Sequence, residues 1–136
     1  MLFIFDAHCS QRLAEGLNLI ETGNTKSPLQ SEIKHIKAFT KGNATDIEII
    51  NILKQQDAIL ITYDKDFRHD KAYFALYKKH SVGVVFFRSY KNVIHYWDIV
   101  KAFIKEWEDL KKMCSTESKP FAIELNNRGF SKLHIK

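Results

Sequence analysis

Apolar residues in this chain fall into two kinds of pattern. Leu2–Phe5, Ala58–Thr62 and Ser81–Phe87 are short, nearly unbroken apolar runs bounded by polar residues. Runs of that length, rich in β-branched and aromatic side chains, read as strands buried on both faces. Between them the apolar positions recur every three or four residues, as on one side of a helix. Ser10 opens such a segment, with Leu13, Leu17 and Ile20 as its stripe and Gly23 as its stop. Thr45-Asp46-Ile47-Glu48 has the capping-box pattern and leads into a helix carrying Ile49, Ile50 and Leu53. A helix is expected over about 70–80, and the longest over about 92–113. In that last segment Val93, Trp97, Val100, Ile104 and Trp107 form the stripe, widened by Tyr96, Phe103 and Leu110.

The weaker signals fill in the rest. Glu32–Phe39 alternates poorly and is expected as a less regular strand, after a loop over 24–31 punctuated by Pro28. Residues 115–119 form a polar linker. Phe121–Leu125 and Phe130–Ile135 flank Asn126-Asn127-Arg128-Gly129 as a terminal hairpin. Strands alternating with helices predict an α/β fold with a mainly parallel sheet covered on both sides, the hairpin extending its edge. The expected organisation is a single domain over 1–136, with its core in about 1–114 and the hairpin at 120–135.

Composition narrows the class. Hydrophobic residues make up 45% and aromatic ones 12%, which suits a packed globular chain and not a disordered one. No apolar run approaches the ~18 residues that span a bilayer. The N-terminus lacks the basic start and cleavage site of a secretory signal. Cys9 and Cys114 show no ligand-like spacing and are expected to stay reduced. A cytoplasmic protein with no membrane association is the expectation. The formal charge of +5 favours an anionic partner, with nucleic acid first.

The candidate chemistry is a set of aspartates. In open parallel sheets, sites form beyond the carboxyl ends of the strands. Asp6 and Asp64 each end an apolar strand, and Asp46 lies in the first turn of the helix leading into the strand that Asp64 ends. All three can therefore meet on one rim, with Asp66 as a fourth. Each has a plainer explanation as a cap or turn residue, Asp46 most of all. Asp6 resists that explanation, because Ser10 is available as the cap. Acids gathered on one rim of a basic protein repel one another unless a cation lies among them. Oxygen donors without cysteine point to Mg²⁺ or Mn²⁺. Lys65, Arg68 and His69 follow Asp64, and Arg12 lies one turn into the first helix, where they can meet a phosphate substrate.

Other chemistries lack their motifs. There is no phosphate-binding G-x-x-x-x-G-K-[ST], no dinucleotide G-x-G-x-x-G and no G-x-S-x-G elbow. A receiver-type phosphotransfer domain wants paired acids at the first strand, where only Asp6 stands.

Phe3-Ile4-Phe5-Asp6, Ala44-Thr45-Asp46-Ile47-Glu48-Ile49 and Ile59-Leu60-Ile61-Thr62-Tyr63-Asp64-Lys65-Asp66-Phe67 together resemble the short PIN-like family. That family shows a strand-ending Asp, an (A/S)-(S/T)-D helix start and (L/I)-(V/I)-T-x-D-x-D-F. The resemblance covers about residues 2–88. It implies a PIN-like three-layer α/β/α sandwich and a metal-dependent endoribonuclease, often the toxin of a toxin–antitoxin pair. It further implies that Asp6, Asp46 and Asp64 are metal-binding acids with Asp66 a fourth, and that the Thr62 hydroxyl lies beside the metal. Arg12, Lys65 and Arg68 are the candidate substrate contacts. The implied partners are an RNA substrate and an antitoxin protein, with a homodimer also open. Ala7-His8-Cys9-Ser10 departs from the family, where a further acid or amide and a Leu-Pro are common after the first Asp, and His8 there reads as a helix-entry residue. The alternative within the same fold is a module that binds RNA or protein without turnover.

Overall fold

A computed structural model describes residues 1–63, 71–88, 95–126 and 129–133, the side chains of 71–74 and 130–133 excepted. Strands β1 (Leu2–Phe5), β2 (Glu32–His35), β3 (Ala58–Thr62), β4 (Gly83–Phe87), β5 (Phe121–Asn126) and β6 (Gly129–Leu133) make one sheet in the order β2-β1-β3-β4-β5-β6. The first five in that order run parallel, and β6 pairs antiparallel with β5 at the edge. The expected hairpin is therefore present, with β5 also serving as a full parallel strand of the sheet. Every residue of β3 and β4 is buried, as continuous apolar runs require when both faces are covered.

Alternation along the strands divides the core in two. Phe3, Phe5, Ile59, Ile61, Val85, Phe87 and Ile123 pack under α1 (Gln11–Thr22) and α4 (Tyr96–Thr116). Ile4, Leu60, Val84 and Phe86 pack under α2 (Asp46–Gln56) and α3 (Lys71–Lys79). The result is the three-layer α/β/α sandwich that the sequence predicts. The sheet is closely fitted where β4 meets β5. A Cβ on Gly83 would lie 2.5 Å from Cζ of Phe121, so the ring occupies the space that a side chain would need.

Helices α1 and α2 start where the sequence expects, whereas α4, expected from about 92, begins at Tyr96 because His95 is extended and stands as its N-cap. The helix faces differ from expectation in instructive ways. Ser10 caps α1, its side chain accepting from Leu13 N–H at 3.1 Å. The buried line of α1 is Leu13, Ala14, Leu17 and Glu21, while Ile20, expected in the stripe, is 63% exposed. Position 21 can turn inward because Lys111 meets it there. In α4 the buried residues include Val100, Phe103, Trp107, Leu110, Lys111 and Cys114, and Trp97, Ile104 and Tyr96 are exposed. The expected Trp97–Ile104 stripe straddled two faces of a helix rich in aromatics. Burial of the Phe103–Trp107–Leu110–Cys114 line won because those side chains fill the space over Phe3 and Phe5. Val93 lies outside the described residues. The helix also runs to Thr116, into the expected linker. The expected strand over Glu32–Phe39 ends at His35 and gives way to a single 3-10 turn, Ile36–Ala38.

Lys111 is fully buried, and its ammonium meets the Glu21 carboxylate at 2.9 and 3.1 Å and Glu108 at 2.7 Å. Ser31 N–H also donates to Glu21 at 2.8 Å, which ties the loop before β2 to the same group. Burial alone would push the Glu21 carboxyl up. The Lys111 and Ser31 hydrogen bonds, with that of Asn24, outweigh it and hold the group below the usual carboxylate range. Removing one partner of such a pair leaves a buried charge uncompensated, so Lys111→Ala should lower unfolding free energy by about 3–5 kcal/mol in urea titration. A carboxyl lowered in the folded state stabilises the fold above its unfolded pKa of about 4.3 and ceases to do so as pH falls through the folded value. Glu21→Gln should therefore show a shallower loss of stability between neutral and acid pH than the unmodified protein. Equal pH slopes for the two would contradict the assignment.

Candidate active site

The site grows out of the pairing of β1 with β3. Their register sets Phe5 against Ile61, and the Asp6 amide continues it by donating to the Ile61 carbonyl at 2.8 Å. Asp6 is thereby held at the carboxyl end of β1, beside the end of β3. Its Oδ2 accepts from the Thr62 hydroxyl at 3.1 Å and its Oδ1 from Ala7 N–H at 2.7 Å. Thr62 is 1% exposed, so that hydroxyl is a fixed part of the sheet end and not a surface group. The Cys9 amide returns to the Asp6 carbonyl at 3.0 Å and closes the turn that carries the carboxylate.

Asp46 arrives from a separate segment at the start of α2. The capping explanation for an acid at this position belongs to its neighbours. Thr45 Oγ1 accepts from Glu48 N–H at 3.3 Å, and Glu48 Oε2 accepts from Thr45 N–H at 3.4 Å. Asp6 and Asp46 line one cavity of about 660 Å³. His8, Lys37, Thr40 and Asn43 are the other polar side chains on its described wall. Gly42, at φ 91°, supplies the left-handed turn that brings this wall around to α2.

Of the residues singled out from sequence, the structure brings together Asp6, Asp46 and Thr62. Arg12 lies in the first turn of α1, exposed, and does not line the cavity. Asp64, Lys65, Asp66 and Arg68 lie outside the described residues. Among the described residues no group of three His, Cys, Asp or Glu side chains is placed to hold a metal ion. Lys37, Thr40 and Asn43 were not anticipated. Lys37 lies within what the sequence reads as strand over 32–39, and Thr40 and Asn43 in the short segment between it and the capping box, so neither pattern marks them as a wall.

Neither cysteine offers a nucleophile. Burial, with the nearby Asp6 charge, pushes the Cys9 thiol far up, and its Sγ donates to the Ile61 carbonyl at 3.6 Å. Burial pushes Cys114 up to about 12. Tyr63, which packs at the same strand end, is also raised, by burial first and then by its Cys9 and Asp6 neighbours. Both thiols should therefore resist a disulfide-exchange reagent in the native protein at pH 7–8 and react fully once denatured; rapid native labelling would contradict the described packing.

No helix among the described residues is long and apolar enough to cross a membrane. Of curated proteins and solved structures, none matches the chain. The family model for the PIN like domain matches residues 1–89, which contain β1 to β4, the whole described cavity and the strand ends that carry Asp6 and Thr62. The chain therefore belongs to the PIN-like domain family, whose members are generally nucleases.

Proposed function

We propose that this protein is an endoribonuclease that hydrolyses RNA phosphodiester bonds with Mg²⁺ or Mn²⁺, acting as the toxin of a toxin–antitoxin pair. The observation that carries the reading is the meeting of Asp6 and Asp46, forty positions apart, on the wall of one cavity at the carboxyl edge of a parallel sheet. Carboxylate and hydroxyl oxygens with no thiolate among them fit a hard divalent cation, because such ions prefer oxygen donors. Asp6 and Asp46 would hold it, joined by Asp64 and Asp66 on the strength of their motif. Such a cation, when bound, lowers the pKa of a water ligand and neutralises charge building on the phosphoryl oxygens.

The remaining work falls to the chain itself. Thr62 holds one carboxylate oxygen of Asp6 by its hydroxyl and Ala7 N–H holds the other, which together fix the plane of the carboxylate. Lys37 places a cation on the same wall, suited to a backbone phosphate one step from the scissile bond. Lys65, Arg68 and Arg12 extend the basic surround in the same reading. A net charge of +5 draws in a polyanionic partner such as RNA, and the toxin role with its antitoxin partner rests on the motif resemblance.

Cleavage of single-stranded RNA with Mn²⁺ tests the reading. Asp6→Asn and Asp46→Asn should each lower kcat by roughly a hundredfold or more, since each removes charge from the cation's oxygen cage. Thr62→Val should have a smaller effect, about tenfold, because it frees the carboxylate's orientation without removing it. Wild-type protein that cuts nothing, while still binding Mn²⁺ and RNA, would leave the non-cleaving binding module as the better account.

A further inference from the structure

His35 ends β2, and its ring is 5% exposed. Its two nitrogens hold hydrogen bonds of opposite sense. The Lys37 amide donates to Nδ1 at 3.2 Å, so Nδ1 carries the lone pair. Nε2 lies 3.0 Å from the Cys9 carbonyl oxygen and so carries the proton. The ring is thus a neutral imidazole in one tautomer, with a donor on one side and an acceptor on the other.

Both partners belong to segments that line the cavity. Cys9 closes the turn that begins at Asp6, through its amide to the Asp6 carbonyl. Lys37 lies on the cavity wall itself, in the 3-10 turn that His35 caps. These two segments come from different βα connections, and sheet pairing ends at Phe5 and His35. Beyond that pair, the imidazole is a direct link from one segment to the other.

The geometry points to His35 as a positioning residue that sets the Asp6 turn and the Lys37 turn relative to each other. Nε2–H fixes the turn that presents the Asp6 carboxylate. Nδ1 fixes the backbone at Lys37, and so the place where its ammonium meets a substrate phosphate. The inference rests on the nuclease reading for the meaning of the two groups. The link itself stands on its hydrogen bonds. A histidine that merely filled space would serve both segments alike, whereas this one serves each through a different nitrogen.

Two substitutions separate the nitrogens. In His35→Asn, Oδ1 stands near the position of Nδ1 and keeps an acceptor for Lys37 N–H, while nothing reaches the Cys9 carbonyl. In His35→Gln, the longer amide reaches the Cys9 carbonyl and leaves Lys37 N–H without its acceptor. The probes are Mn²⁺ alone, by calorimetry, and a short mixed-sequence single-stranded RNA in the presence of a chelator. His35→Asn should weaken Mn²⁺ binding about tenfold or more and leave RNA affinity unchanged, since loss of a supporting hydrogen bond costs metal affinity on that scale. His35→Gln should do the converse. Its RNA affinity should fall severalfold, with the slope of log K against log salt reduced by about one, as Lys37→Ala should also show.

Losses that are shared, reversed or absent in the two variants overturn the inference. Wild-type protein that binds both probes and cleaves nothing removes the catalytic reading and leaves the brace in place. Wild-type protein that binds neither overturns both. If either variant fails to fold, the unmodified protein decides through imidazole ¹⁵N shifts and Lys37 amide exchange. An Nε2–H tautomer with a protected Lys37 amide supports the brace, and an Nδ1–H tautomer or a rapidly exchanging amide overturns it.

Discussion

The Asp6 amide donates to the Ile61 carbonyl one step past the last paired residues of β1 and β3. Most of what surrounds the cavity depends on that bond. Parallel strands that end together bring their final residues to one edge, and here the residues are a carboxylate and a threonine hydroxyl. Both flanking strands are packed on each face, so a one-residue slip would exchange the side chains fitted under α1 and α4 with those fitted under α2 and α3. The position of Asp6 is therefore set by the hydrophobic pattern of β1 and β3, long before any chemistry is considered. The Thr62 hydroxyl then fixes one oxygen of the carboxylate.

Away from the sheet, two buried polar groups do what apolar packing does poorly, which is to specify one arrangement among several. Lys111 joins α4 to α1 and, through Glu21 and Ser31, to the loop entering β2. His35 joins the exit of β2 to the turn leaving β1. The first group acts at the opposite end of α1 from the Asp6 turn, and the second acts beside it. Between them, β2 is held at entry and exit. A four-residue edge strand, paired on one side by β1, gains its definition from those contacts more than from its own length.

Legibility in the sequence followed burial. The strands β1, β3 and β4 were plain because both of their faces are apolar, and α2 was plain because Thr45 and Glu48 spell out its cap. Ile20 and Trp97 misled because an apolar residue on a helix surface costs little and leaves no mark in the pattern. Glu21 and Lys111 give no sign of burial, since a charged residue is seldom buried without a partner and here the partner lies ninety positions away. In the site, Asp6 and Asp46 could be found by their places at a strand end and a helix start. Lys37 and His35 could not, because their roles depend on where a 3-10 turn folds back, and that turn replaces what reads as more strand.

The family match ends at residue 89, and the core does not. Phe3 and Phe5 are fully buried, and their rings lie 4.9 Å from Trp107 and 5.4 Å from Phe103, both on α4. Along the edge, Gly83 lacks a side chain at the place where the Phe121 ring of β5 crosses. A β4 without β5 would present an apolar, fully hydrogen-bonding edge, the kind that invites pairing with other chains. The antiparallel β6 then caps that side of the sheet. The residues after 95 therefore complete the same hydrophobic core whose strand ends carry Asp6 and Thr62. A sheet that stopped at β4 would hold those two groups on a layer with one face covered by α1 alone.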